Sequence, residues 1–205
     1  MSLPTELSFL KDVATHEMKV RKDDGVYRHL TFARPGTNCY SFDLVTWLGF
    51  LAFSGDMGCY VFSRIPDMFE FFRRDGGKEG LYINLGYWGE KVEARDRDGV
   101  REYSAERFIE HVQRHLDESE ASERDRRAAK YEVMDKAHDN QHEAYSAAMS
   151  FKGPDGTKFA DFWECNSDEY TYRFIWCCYA LAWGIKQYDA TKVTIDPSYA
   201  ASKTP

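Results

Sequence analysis

Four side chains spread over a run of short strands have the chemistry for proton transfer: His29, Asp43, Asp56 and Arg64. Neighbouring strands can bring an imidazole and a carboxylate within reach for general acid–base work. No nucleophile motif such as GxSxG accompanies them, so buried hydrogen bonds, a turn and a salt bridge are the favoured roles. Two histidine pairs, His111/His115 and His138/His142, each have the i,i+4 spacing that puts both imidazoles on one helix face. If those helices paired, four nitrogens would converge as zinc ligands. The first pair lacks the glutamate of HExxH, and both lie in charge-rich sequence, so no metal is expected.

Gly55-Asp56-Met57-Gly58 could free backbone amides and aim a carboxylate into a pocket. An ordinary hairpin turn is the favoured reading. Neither GxGxxG nor GxxxxGK[ST] occurs, and no cofactor is expected. Tyr170, Tyr172, Trp176, Tyr179 and Trp183 follow one another along the last helical segment. Aromatics can stack bases, but without adjacent basic residues these read as core.

The elements that must position these groups are legible from pattern. VYRHLTFAR, CYSFDLVTW, FLAFS and CYVFSR are strand-like runs, punctuated by Pro35-Gly36, Leu48-Gly49 and the Gly55–Gly58 turn. Both faces of the first two runs are partly apolar, as suits a sheet covered by helices on at least one side. Thr5 caps an amphipathic helix over 5–15 with apolar Leu7, Leu10, Val13 and Ala14. Met18 and Val20 alternate with charges before the Asp23-Asp24-Gly25 turn. Pro66-Asp67 opens a helix through Arg74, ended by Asp75-Gly76-Gly77. Residues 81–83 suggest one more strand, and Asn84 caps a short helix through Ala94.

Ser104 caps a helix with Phe108, Ile109, Val112 and Leu116, followed by charged sequence to Ser150. Residues 104–143 hold 11 acidic and 7 basic residues. Glu110/Arg114, Glu120/Arg124, Glu123/Arg127 and Glu132/Lys136 have favourable i,i+4 order, so a solvated helical hairpin or a protruding arm is expected. Whether 117–150 is one helix or two stays open. Gly153-Pro154-Asp155-Gly156 breaks the chain, and Phe159, Phe162 and Trp163 begin a final helical section. Ser167-Asp168 caps a long helix to Tyr188, apolar nearly all round and therefore buried.

The fold class is α+β: an N-terminal antiparallel β-meander packed against helices, with a charged helical middle segment and a buried C-terminal helix. The expected organisation is a single domain over 1–205. It comprises a sheet-rich part (1–103), a charged helical extension (104–150), core helices (151–190) and an irregular tail (191–205).

Composition narrows the function classes. The 205 residues suffice for a core without staples, and 14 Phe, 13 Tyr and 5 Trp make that core aromatic. A net charge of −7 argues against generic nucleic-acid binding, because phosphate contacts need clustered Lys and Arg. It suits a basic protein partner. MSLPTELSFLKDVATHE has neither a basic n-region nor an apolar h-region. The longest apolar stretch, Phe174 to Ile185, has 12 residues, too few to span a bilayer. Cys39, Cys59, Cys165, Cys177 and Cys178 form no CxxC and are odd in number, as in a reduced, cytoplasmic protein.

The run RHLTFARPGTNCYSFDLVTWLGFLAFSGDMGCYVFSR, with DMFEFFR after it, resembles a set of uncharacterised proteins encoded by bacteriophages and prophages. FIWCCYALAWGIKQYD is similar to the same group's C-terminus. The resemblance covers residues 25–95 and 159–189, and departs from the pattern at Leu48, where the group carries a proline. It implies the host cytoplasm and a non-enzymatic accessory role: binding and inhibiting a host complex, such as CRISPR or restriction machinery. The alternative expectation is a small nucleotide- or nucleic-acid-processing enzyme using His29, Asp43, Asp56 and Arg64. A metal-stabilised module and a virion component are less favoured. The sequence leaves the oligomeric state unread.

Overall fold

A computed structural model describes residues 3–73 and 80–195, without the side chains of 193–195. The fold is α+β, and its residues form two compact units: one up to Val100 and from Tyr170 onward, the other over Arg101–Glu169.

The first unit is built on a six-stranded antiparallel meander in chain order: β1 (Glu17–Asp24), β2 (Tyr27–Ala33), β3 (Phe42–Trp47), β4 (Phe50–Gly55), β5 (Gly58–Ser63) and β6 (Val92–Arg95). Alternation decides the faces. Leu30, Phe32, Phe42, Leu44, Leu51, Phe53, Tyr60 and Phe62 are buried together. His29, Thr31, Asp43 and Val45 alternate with them and stay half-buried.

Helix α1 (Glu6–Asp12) starts where Thr5 caps it, with Ser8 returning the bond. Its apolar face differs from the expected one. Phe9 and Val13 are buried, while Leu7 and Leu10 are exposed, because Phe9 fits among Trp176, Tyr179 and Trp183. The hairpin at Gly25 makes β1 a full edge strand.

Helix α2 (Met68–Phe72) is capped by Asp67, whose carboxylate also takes both terminal nitrogens of Arg28, at 2.8 and 2.9 Å. Burial alone would raise the Asp67 pKa, but Arg28 and the Phe69 amide outweigh it and hold the carboxyl below its usual range. Arg74 and the expected stop at Asp75-Gly76-Gly77 lie outside the described residues.

Residues 81–83 are not a strand: the Leu81 N–H is taken by Glu6 Oε1 at 2.9 Å instead of a neighbouring strand. Asn84 does cap a helix, α3 (Leu85–Gly89). Its two glycines are poor helix formers, and the chain turns into β6 instead of staying helical to Ala94.

The second unit opens with β7 (Arg101–Tyr103) and α4 (Ala105–Glu118), capped by Ser104 as expected. The stretch 117–150 is two helices, α5 (Glu123–Glu132) and α6 (Gln141–Ser150), joined by a 3₁₀ turn over Met134–His138. This segment is not all solvated face. Phe108, Val112, Leu116, Ala129, Val133, Ala137, Ala144 and Ala148 bury a core of their own with Phe151, Phe159 and Phe162. Alanines at the crossing points let short helices approach closely, so charge density around them hid the core. Ion pairs there include Arg126–Asp117, Arg124–Asp155 and Lys136–Asp139; none of the i,i+4 pairs read from the sequence is among those described.

Phe159, Phe162 and Trp163 give only a 3₁₀ turn, Phe162–Glu164, with Trp163 exposed. The chain then forms β8 (Asp168–Tyr170), paired with β7.

Helix α7 (Tyr172–Ile195) returns to the first unit. Its cap is Thr171, whose hydroxyl accepts the Phe174 N–H, and not Ser167-Asp168, which lead into a strand. Phe174, Trp176, Cys177, Cys178, Ala180 and Leu181 are fully buried against the sheet. Gly184 permits this approach, since a Cβ there would lie 2.9 Å from Leu44 Cδ1. The helix continues past Tyr188 to Ile195, where an irregular tail was expected from 191; residues beyond 195 lie outside the described set. All five cysteines are free thiols. No helix among the described residues is long and apolar enough to cross a membrane.

Candidate functional site

Of the four acid–base candidates, the structure joins two. His29 on β2 and Asp43 on β3 sit one register step apart, with Thr31 directly opposite Asp43. His29 Nε2 lies 3.2 Å from Asp43 Oδ1, and the Thr31 hydroxyl donates to the same oxygen at 2.6 Å. Arg21 Nε donates to the Thr31 hydroxyl at 3.3 Å, extending the chain to β1. Both members of the dyad are roughly two-fifths exposed, at 42% and 40%. Such a pair can exchange a proton with solvent.

A nucleophile is not placed to use it. Ser54 on β4 is directly opposite Asp43, so the carboxylate stands between serine and imidazole. A serine–histidine relay needs the imidazole in the middle. Two strand spacings, about 10 Å, separate the Ser54 and His29 backbones.

Asp56 and Arg64 lie elsewhere. Asp56 belongs to the β4–β5 turn, and its carboxylate accepts the Tyr40 N–H at 2.8 Å. That bond holds Tyr40 at φ +56°, a turn conformation that delays β3 until Phe42, where a strand from 39 was expected. Arg64 follows β5 and is exposed.

The histidine pairs are used locally. His111 Nε2 meets the Asn166 carbonyl and His115 Nδ1 the His111 carbonyl, each at 3.2 Å. The His115 ring packs on Phe162, 5.3 Å between centroids. His138 lies in the 3₁₀ turn; His142 lines an open cleft of about 560 Å³ with Asn140, Gln141 and Tyr145. Among the described residues no group of three or more His, Cys, Asp or Glu is placed to hold a metal ion.

One polar cluster escaped the sequence reading. Trp176 Nε1 donates to Asp12 Oδ2 at 3.0 Å, and His16 Nε2 meets the Tyr40 carbonyl at 3.1 Å. His16 Nδ1 is buried without a partner among the described residues, and burial lowers the His16 pKa. The Asp12 charge, then burial and Tyr172, raise that of Tyr40. The cluster therefore keeps a neutral imidazole and neutral phenols around one carboxylate. Its bonds join residues 24 and 164 positions apart, and no local pattern could have announced them.

The last-helix aromatics are core, as expected: Trp176 is fully buried, and Tyr170, Tyr172, Tyr179 and Trp183 pack against it and its neighbours. Comparison with protein-family models, curated proteins and solved structures finds no match to this chain.

Proposed function

We propose that the protein is a non-enzymatic accessory protein of bacteriophage type, which binds a host complex through its acidic unit and inhibits it. The class of target is an antiviral defence complex, CRISPR or restriction, whose nucleic-acid-binding surface is basic. One observation carries the reading. Residues 101–169 hold 17 acidic and 10 basic residues, a net −7 equal to that of the whole chain, so the sheet unit is neutral. All the acids there are exposed except Asp125, Asp168 and Glu169. A concentrated negative surface on a folded scaffold steers encounter with a basic groove and competes with phosphate for it. The phage-like pattern over 25–95 and 159–189 supplies the host context.

The test is capture of the tagged full chain from a bacterial host with mass spectrometry, followed by a plaque assay on a defended strain. Changing Glu118, Glu120 and Glu123 to glutamine is expected to weaken capture about tenfold at low salt and little at high salt. Recovery of the protein alone, with no gain in plaques, would refute the proposal.

The His29–Asp43 contact favours the enzyme reading at one point only. As an exposed pair it contributes ~0.2–1 kcal/mol to stability. His29→Ala and Asp43→Asn are therefore expected to leave both the melting curve and host inhibition unchanged. Loss of inhibition in either variant would move the function to this dyad.

A further inference from the structure

We propose that the outer face of α1 is a pairing surface for a second copy of this chain. The helix carries two apolar faces, and only one is filled. Phe9 and Val13 are buried, whereas Leu7 is 66% exposed and Leu10 37%. Leu3, just before the helix, is 45% exposed, and Ala14, just after it, is exposed too. Residues 3, 7, 10 and 14 follow the alternating four-and-three spacing of a coiled-coil seam.

The charges beside the seam match a two-fold. Glu6 precedes Leu7 and Lys11 follows Leu10, five positions apart. In a parallel pair, those are the positions at which the acid of one helix meets the base of the other, twice by symmetry. Lys11 is exposed. Glu6 uses Oε1 to accept the Leu81 N–H and retains Oε2. A seam that answers itself, leucine to leucine and acid to base, fits a copy of the same chain. With two helical turns the interface is small and the association weak. The pairing is independent of the acidic unit and of its host target.

Sedimentation velocity on the full chain, from roughly 5 to 500 μM where a small interface equilibrates, tests this. The wild-type sedimentation coefficient rises with concentration towards that of a dimer. Leu7→Glu, at an exposed position, keeps the wild-type melting curve and stays monomeric throughout. Lys11→Glu weakens pairing about two- to fivefold, as for a rim ion pair. Leu10→Cys gives a disulfide-linked dimer under mild oxidation, whereas Lys19→Cys and the wild type, with its native thiols, do not. A wild type monomeric across the range, a dimer indifferent to Leu7→Glu, or a Leu10→Cys that fails to link would each overturn the proposal.

Discussion

Trp176→Ala is expected to destabilise the sheet unit by about 3–5 kcal/mol, a large share of the 5–15 kcal/mol that typically holds a domain together. Trp176 is fully buried, with its ring 5.0 Å from that of Phe9, 5.6 Å from Tyr40 and 5.8 Å from Phe42. These neighbours belong to α1, to the turn before β3 and to β3 itself. Truncation removes the packing shared by three elements and leaves a cavity that stiff rings cannot collapse into. It also strands the Asp12 carboxylate that accepts the indole N–H. Trp176→Phe keeps most of the packing but loses that bond, and should lie between wild type and alanine. Chemical denaturation followed by far-UV circular dichroism reads the difference. A loss below about 1 kcal/mol for alanine would mean the packing around α7 is looser than described.

The second large effect belongs to the acidic unit and depends on pH. Asp125 on α5 is buried, and its carboxylate accepts the Asp155 N–H at 2.7 Å and the Thr157 N–H at 3.0 Å. It thereby clamps the turn that brings Phe159 and Phe162 back to the unit's core. The Asp155 amide, then the Thr157 hydroxyl, hold its pKa below the usual carboxylate range. The folded unit thus binds fewer protons than the unfolded chain near pH 4. Its stabilisation is fully present above the unfolded pKa of about 3.9, and is lost as pH falls through the folded value.

Asp125→Asn should flatten that acid limb and lower the unit's melting midpoint at neutral pH by on the order of 5 °C. Gly153→Ala should act similarly, because a Cβ there would sit 2.5 Å from Asp125 Cγ. Hydrogen exchange locates the effect: protection falls over 101–169 and persists in β2 to β5. An unchanged acid limb in Asp125→Asn would sink the clamp.

The proton-transfer candidates show how far local pattern reaches. His29 and Asp43 were legible as a pair because both sit on strands whose alternation was clear. Asp56 could be read as a turn residue, and it is one, but its bond to the Tyr40 amide could not. The histidine spacings were read correctly as geometry, yet His111 and His115 turn to backbone carbonyls that arrive from elsewhere in the chain.

The meander, its inward residues, the caps at Thr5, Asp67, Asn84 and Ser104, and the burial of the last helix are all written locally. Each follows from a period of two or 3.6 residues, or from a side chain bonding an amide two or three positions on. Which face of α1 is buried, where α7 begins and the separate core inside the charged stretch are settled by partners many positions away. The same holds for the gathering of all net charge on one unit. Burial is a property of what arrives from a distance, and Leu7 and Phe9 look alike until Trp176 takes its place beside one of them.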